Sequence, residues 1–164
     1  MTTAIYPGSF DPPTLGHLDI IKRTAAIFDE VVVCVMHNGA KGHSLFSCRE
    51  RHDLLAEITA DIPNVRIDTY AGLLADYVTG YESPVVVRGL RAVTDFNYEF
   101  QMSAINKKLN PEIETMFLFA SDKYTFLSSS IVRELGKFKR EMTCFVPKEV
   151  EAAVHRKFSP DGIN

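Results

Sequence analysis

The sequence predicts one α/β domain spanning residues 1–164: a doubly wound, five-stranded parallel sheet with helices on both faces. Three observations predict it. Short apolar or β-branched runs alternate with helix-period stretches along the chain, and that alternation builds parallel sheets. No internal repeat, low-complexity tract or linker divides the sequence. Its 164 residues suffice to bury a core without a disulfide or metal staple.

Ala4-Ile5-Tyr6 is an apolar strand ending at Pro7-Gly8. Residues 15–28 read as a helix, because Leu15, Leu18, Ile21, Ala25 and Phe28 form one stripe. Val31–Met36 is a β-branched run typical of a buried strand. After a loop over 37–46, Ser47-Cys48-Arg49-Glu50 forms a capping box for a helix carrying Leu54, Leu55, Ile58 and Ile62 inward. Pro63-Asn64 stops that helix. The remaining strands are expected at 65–70, 84–88 and 115–120. Helices are expected at 73–81, 94–109, near 129–138 and at 147–158.

Net charge is −3, with 46% hydrophobic and 24% charged residues. This balance excludes disordered and fibrous classes and argues against a nucleic-acid partner. The longest apolar run, Val31–Met36, falls far short of the ~20 residues of a spanning helix. No leader pattern is visible, and Cys34, Cys48 and Cys144 include no C-x-x-C pair. Free thiols and a cytoplasmic location are therefore expected, with Cys34 a small core residue.

Right-handed crossovers place the C-terminal ends of all strands on one edge, and ligands bind there, where strand order reverses. Four segments should reach that edge. In Tyr6–His17, Thr14 is a plausible N-cap that puts His17 at N3, where backbone N–H groups favour an anion. Ser9 adds a hydroxyl, and Gly8 and Gly16 permit close backbone approach. Within residues 37–43, Lys41 can swing over a phosphate, although a solvated loop explains the segment equally well. Arg88 and Arg91 flank Gly89-Leu90 at a strand end, offering two forks for phosphate or carboxylate. The plainer alternative is a strand-end arginine paired with an acid such as Asp95. Finally, Ser128-Ser129-Ser130 starts a helix that also carries Arg133, and an N-cap needs only one serine. Glu99, taken alone, reads as a solvated helix residue. No zinc spacing and no Walker A or G-x-G-x-x-G loop is present.

Together, Thr14-Leu15-Gly16-His17, the loop lysine, Arg88-Gly89-Leu90-Arg91 and Ser128-Ser129-Ser130-x-x-Arg133 resemble the nucleotidyltransferase superfamily. Within it, the chain is similar to the bacterial phosphopantetheine adenylyltransferases along nearly its whole length. The resemblance implies a Rossmann-like sheet, a homohexamer, and reaction of ATP with 4′-phosphopantetheine to give dephospho-coenzyme A and pyrophosphate, with Mg²⁺. It implies that Ser9, Lys41, Leu74 and Arg88 contact phosphopantetheine. ATP would touch Ser9, Phe10, His17, Gly89, Leu90, Arg91, Glu99, Tyr124, Thr125, Phe126, Leu127, Ser128, Ser129 and Ser130. His17 would stabilise the transition state, with Lys41 and Arg91 assisting. Ser9 stands where the family usually has Thr, and Thr14 where the superfamily has its first His. Mg²⁺ would be held by phosphate oxygens and water, without a protein cage. A transferase for another acceptor, such as nicotinamide mononucleotide or glycerol 3-phosphate, and a non-catalytic nucleotide-binding module are the competing readings.

Overall fold

The computed structural model describes residues 2–37 and 44–159. Along the chain come β1 (Thr3–Gly8), α1 (Leu15–Ala25), β2 (Glu30–His37), α2 (Cys48–Ile58) and β3 (Val65–Ala71). Then follow α3 (Leu74–Tyr77), β4 (Val85–Leu90), α4 (Val93–Leu109), β5 (Glu114–Phe119), α5 (Ser129–Lys137) and α6 (Lys148–Lys157). Short 3-10 turns occupy Val78–Gly80 and Asp122–Tyr124.

All strand pairings are parallel, in the order β3-β2-β1-β4-β5. The expected doubly wound sheet is therefore present, and strand order reverses between β1 and β4. Alternation along each strand divides the apolar residues between two layers. Tyr6, Val31, Val33, Val35 and Val87 join Ile20, Ile21, Leu55, Val132, Val150 and Val154 on the side covered by α1, α2, α5 and α6. Ile5, Val32, Cys34 and Val86 join Ala75, Val78 and Ile113 on the opposite side. Cys34 is a fully buried core residue, as expected, and burial pushes its thiol up to about 11.

Three boundaries differ from the sequence expectation. The first helix stops at Ala25, and a turn in which the Phe28 N–H still reaches the Thr24 carbonyl at 3.1 Å returns Phe28 to the core. The second stops at Ile58, with Thr59 as its C-cap, and Ile62 packs on the core from the following turn. The third breaks into α3 and a 3-10 turn.

One feature of the sheet prepares the site. β1 and β2 pair from Thr3↔Glu30 to Gly8↔Val35, whereas β1 and β4 pair only at Ala4↔Val85 and Ile5↔Val86. Beyond Ile5 the two central strands part. Pro7, which has no N–H to offer a neighbour, sits at this gap. Arg88 crosses it, donating from Nη1 to the Pro7 carbonyl at 3.0 Å.

Candidate functional site

The gap between β1 and β4 opens into a cleft of about 780 Å³ at the C-terminal edge of the sheet. Its first wall is the turn from β1 into α1. Thr14 caps α1 and makes a reciprocal box with His17: the His17 N–H donates to Thr14 Oγ1 at 3.3 Å, and the Thr14 N–H donates to His17 Nδ1 at 3.0 Å. A backbone donor at Nδ1 leaves the neutral ring's proton on Nε2. Burial, and secondarily the positive charge of Arg91, lower the His17 pKa to about 4. At neutral pH His17 is therefore an uncharged N–H donor in the first turn of a helix.

Behind it Phe10 is 1% exposed and lies edge-on between Tyr6 and His17, with ring centroids 5.4 and 5.0 Å away. Its φ of 47° is unusual for a residue with a side chain. A Cβ on Gly8 would come within 2.9 Å of that ring. Gly8 is thus required by Phe10 packing, where sequence alone suggested approach to a ligand. Ser9 is exposed to the cleft.

The second wall is β4 and its exit. Arg88 does not present a free fork: Nε and Nη2 each meet a Glu99 carboxylate oxygen at 2.5 Å. Arg91 binds Asp95 through Nε at 3.1 Å and the Leu127 carbonyl through Nη1 at 2.6 Å. The acid-paired alternative therefore holds for both arginines, and both still line the cleft. Glu99 is corrected from a solvated residue to the partner of Arg88, with its side chain only 16% exposed.

The third wall is the start of α5. Ser128 is the N-cap, accepting from the Ile131 N–H at 3.2 Å. Ser129 donates to the Pro12 carbonyl at 2.8 Å, tying α5 to the β1–α1 turn. Arg133 adds contacts to the Asp11 carbonyl and, at 3.1 Å, to Ser130 Oγ. The three serines thus have three different tasks.

Gly89, Leu74, Tyr124, Leu127 and Ser130 also border the cleft. Three of the residues named from the sequence do not. Leu90 is 1% exposed in the interior, Thr125 bonds back to the Asp122 carbonyl, and Phe126 packs edge-on against Phe145. Lys41 lies outside the described residues.

Sequence reasoning missed Arg51. It is 3% exposed, borders the cleft, and donates to the carbonyls of Ser9 at 2.7 Å and Ser47 at 3.3 Å. Its neighbours in the capping box of α2 hid it, since an arginine there reads as a surface residue. Asp11 was also missed: its carboxylate takes the N–H groups of Leu45 and Phe46, both at 2.8 Å. On α4, Tyr98, Met102, Ser103 and Asn106 extend the cleft beyond Arg88. No motif marks them.

The cleft thus gathers hydrogen-bond donors at the strand-order reversal and continues along α4. A cytidylyltransferase-like family model matches residues 5–135. The chain is 52% identical to the phosphopantetheine adenylyltransferase of Caldanaerobacter subterraneus subsp. tengcongensis over 158 residues, covering 96% of this chain and 98% of that one. The chain belongs to the phosphopantetheine adenylyltransferase family. The relative from Dictyoglomus turgidum, also 52% identical, covers the same shares. A candidate nicotinate-nucleotide adenylyltransferase from Vibrio parahaemolyticus matches in fold with a TM-score of 0.71, at 18% identity, over 96% of this chain and 94% of that one. The chain is thus a nucleotidyltransferase, and the Vibrio likeness is one of fold.

Proposed function

We propose that the protein transfers the adenylyl group of ATP to 4′-phosphopantetheine, reversibly, forming dephospho-coenzyme A and pyrophosphate in coenzyme A biosynthesis. The observation that carries this reading is the convergence of His17, Arg91 and Ser129 on one cleft at the strand-order reversal. The acceptor is already an anionic phosphate, so direct in-line attack on the α-phosphate needs no strong base and no covalent enzyme intermediate. What such a reaction needs is alignment and donors for growing negative charge.

The residues supply both. His17 offers Nε2–H to the developing charge while its Nδ1 is held by Thr14. The N-terminal end of α5 presents backbone N–H groups beside Ser129 and Ser130 to the triphosphate. Arg91, anchored by Asp95 and by the Leu127 carbonyl just ahead of α5, holds its guanidinium beside that wall. Arg88, set by Glu99 and the Pro7 carbonyl, faces the acceptor phosphate together with Ser9; Lys41 is a further phosphopantetheine contact that the family resemblance implies. Leu74, Met102 and Asn106 would receive the pantetheine arm.

Mg²⁺ fits as a companion of the triphosphate. Among the described residues no cluster of three His, Cys, Asp or Glu side chains could hold a metal, and Glu99 and Asp95 are engaged by arginines. Bound to phosphate oxygens and water, the ion would neutralise charge on the leaving pyrophosphate.

We further read the active form as a homohexamer. The support is the apolar surface of α4 and β5, where Phe100 and Phe119 are 57% and 71% exposed and no described element covers them. The location is read as cytoplasmic; no described helix is long and apolar enough to cross a membrane.

The test is release of pyrophosphate from ATP with and without 4′-phosphopantetheine. Release only with both substrates supports the reading. Turnover with CTP, nicotinamide mononucleotide or glycerol 3-phosphate instead overturns it. Chelation by EDTA should abolish turnover, and added Mg²⁺ should restore it.

A further inference from the structure

Tyr6 lines the cleft, and the proposed reaction leaves its polar end without a role. It is 6% exposed, and buried tyrosine hydroxyls ordinarily find a partner. On the other side of the sheet even half-buried tyrosines are paired: Tyr77 donates to Asp68 at 2.7 Å, and Arg66 donates to Tyr81 at 2.7 Å. The Tyr6 hydroxyl has no hydrogen bond to any described residue. No fully enclosed side-chain polar atom among those residues lacks a partner, so this hydroxyl opens on the cleft that Tyr6 lines.

Its position can be stated more closely. A Cβ built on Gly89 would lie 3.6 Å from Tyr6 Oη and 3.3 Å from Ile20 Cγ1. The hydroxyl therefore sits on the α1 side of the sheet, the side of His17, below the bare backbone of Gly89. Phe10 fixes the ring edge-on. Burial raises the phenol well above its ordinary range, with Arg88, Glu99 and Arg91 as smaller influences. The group keeps its proton at working pH and acts as a donor.

We infer that the Tyr6 hydroxyl is a nucleotide-binding group, donating a hydrogen bond to a phosphate oxygen of ATP in the cleft; this rests on the adenylyl-transfer reading above. An anionic acceptor is the chemistry that completes a donor opening on the cleft that His17, Arg91 and Ser129 also line. The hydroxyl also gives the tyrosine a purpose that packing lacks, since phenylalanine would fill the same space.

Tyr6→Phe separates the two. ATP binding is measured by calorimetry without acceptor, and steady-state turnover with both substrates. The expected result is a roughly 10- to 100-fold loss in ATP affinity or in kcat/KM for ATP. KM for phosphopantetheine and the melting temperature should stay at wild-type values. Unchanged ATP binding and turnover in folded Tyr6→Phe overturn the inference, as does a loss confined to phosphopantetheine. A second measurement needs no variant to fold. In wild-type protein carrying ring-¹³C tyrosine, ATP should shift the Tyr6 Cζ resonance; a resonance unmoved at saturation overturns the inference. If wild type binds ATP but releases no pyrophosphate with phosphopantetheine, the adenylyl-transfer reading fails. The calorimetric ratio still decides the role of Tyr6. A wild-type chain that binds no ATP removes both.

Discussion

His17 is a donor because of what surrounds it, and pH tests that. Its pKa of about 4 lies below the 6.5 of the unfolded chain, so the folded state prefers the neutral ring. Its stabilising contribution is complete above pH 6.5 and declines as pH falls toward 4. The imidazole should titrate near pH 4 by NMR; a midpoint near 6.5 would contradict the burial described here. His17→Gln should flatten the fall in urea midpoint across that window. His17→Ala should lower kcat about 10²- to 10³-fold, as loss of one transition-state donor does. Arg51 makes a different point. Arg51→Met strands the Ser9 carbonyl, whereas the Ser47 carbonyl keeps the Arg51 backbone N–H at 3.0 Å, and should cost about 1–3 kcal/mol in urea unfolding. The residue chemistry near Gly16-His17 was legible from sequence because a helix cap obeys local spacing. The partners of Arg88 and Arg91 were not equally legible. Asp95 lies one helical turn beyond Arg91 and was foreseeable, whereas Glu99 meets Arg88 only because α4 folds back over β4.

At the level of elements, the turn from β1 into α1 is held from outside as much as from within. Asp11 fastens it to the chain ahead of α2, and Arg133 and Ser129 fasten it to α5. Asp11→Ala leaves two N–H groups without acceptors, one on Phe46, which is 2% exposed. It should cost about 2–4 kcal/mol by chemical denaturation and raise KM for both substrates, since it loosens a wall they share. Thr14→Ala should cost about 1 kcal/mol as a cap and, by freeing one contact of Nδ1, move the His17 titration upward. The order and type of elements followed from periodicity, yet helix ends did not. Phe28 and Ile62 continue the apolar stripes of α1 and α2 but reach the core through turns, and a stripe cannot tell a turn from a further coil of helix.

For the whole molecule, α4 is the element that sequence explained least. None of its described residues is buried, and Phe96, Tyr98, Phe100, Ile105 and Leu109 are all substantially exposed. Phe96 stacks on Phe100 at 5.7 Å and meets Phe117 of β5 edge-on at 5.9 Å. One side of α4 borders the cleft, and its apolar residues spread around the helix instead of forming a stripe. That distribution fits an element with ligand on one side and a second copy of the chain on another. Sedimentation should report a six-copy assembly, and Phe100→Asp combined with Phe119→Asp should shift it to smaller species. A monomeric wild type would defeat the hexamer while leaving the chemistry of the cleft untouched.

The sparse stitching of β1 to β4 has a consequence for how the protein responds to occupancy. Two rungs join the halves of the sheet, and beyond them the bridging is done by one guanidinium on a proline carbonyl. A ligand lying in that crease grips both halves at once and acts as the missing rungs. Amide deuterium uptake at Ser9, Gly89 and Leu90 should slow on saturation with ATP far more than uptake along the β2–β3 seam, which is already laced from Val31 to His37.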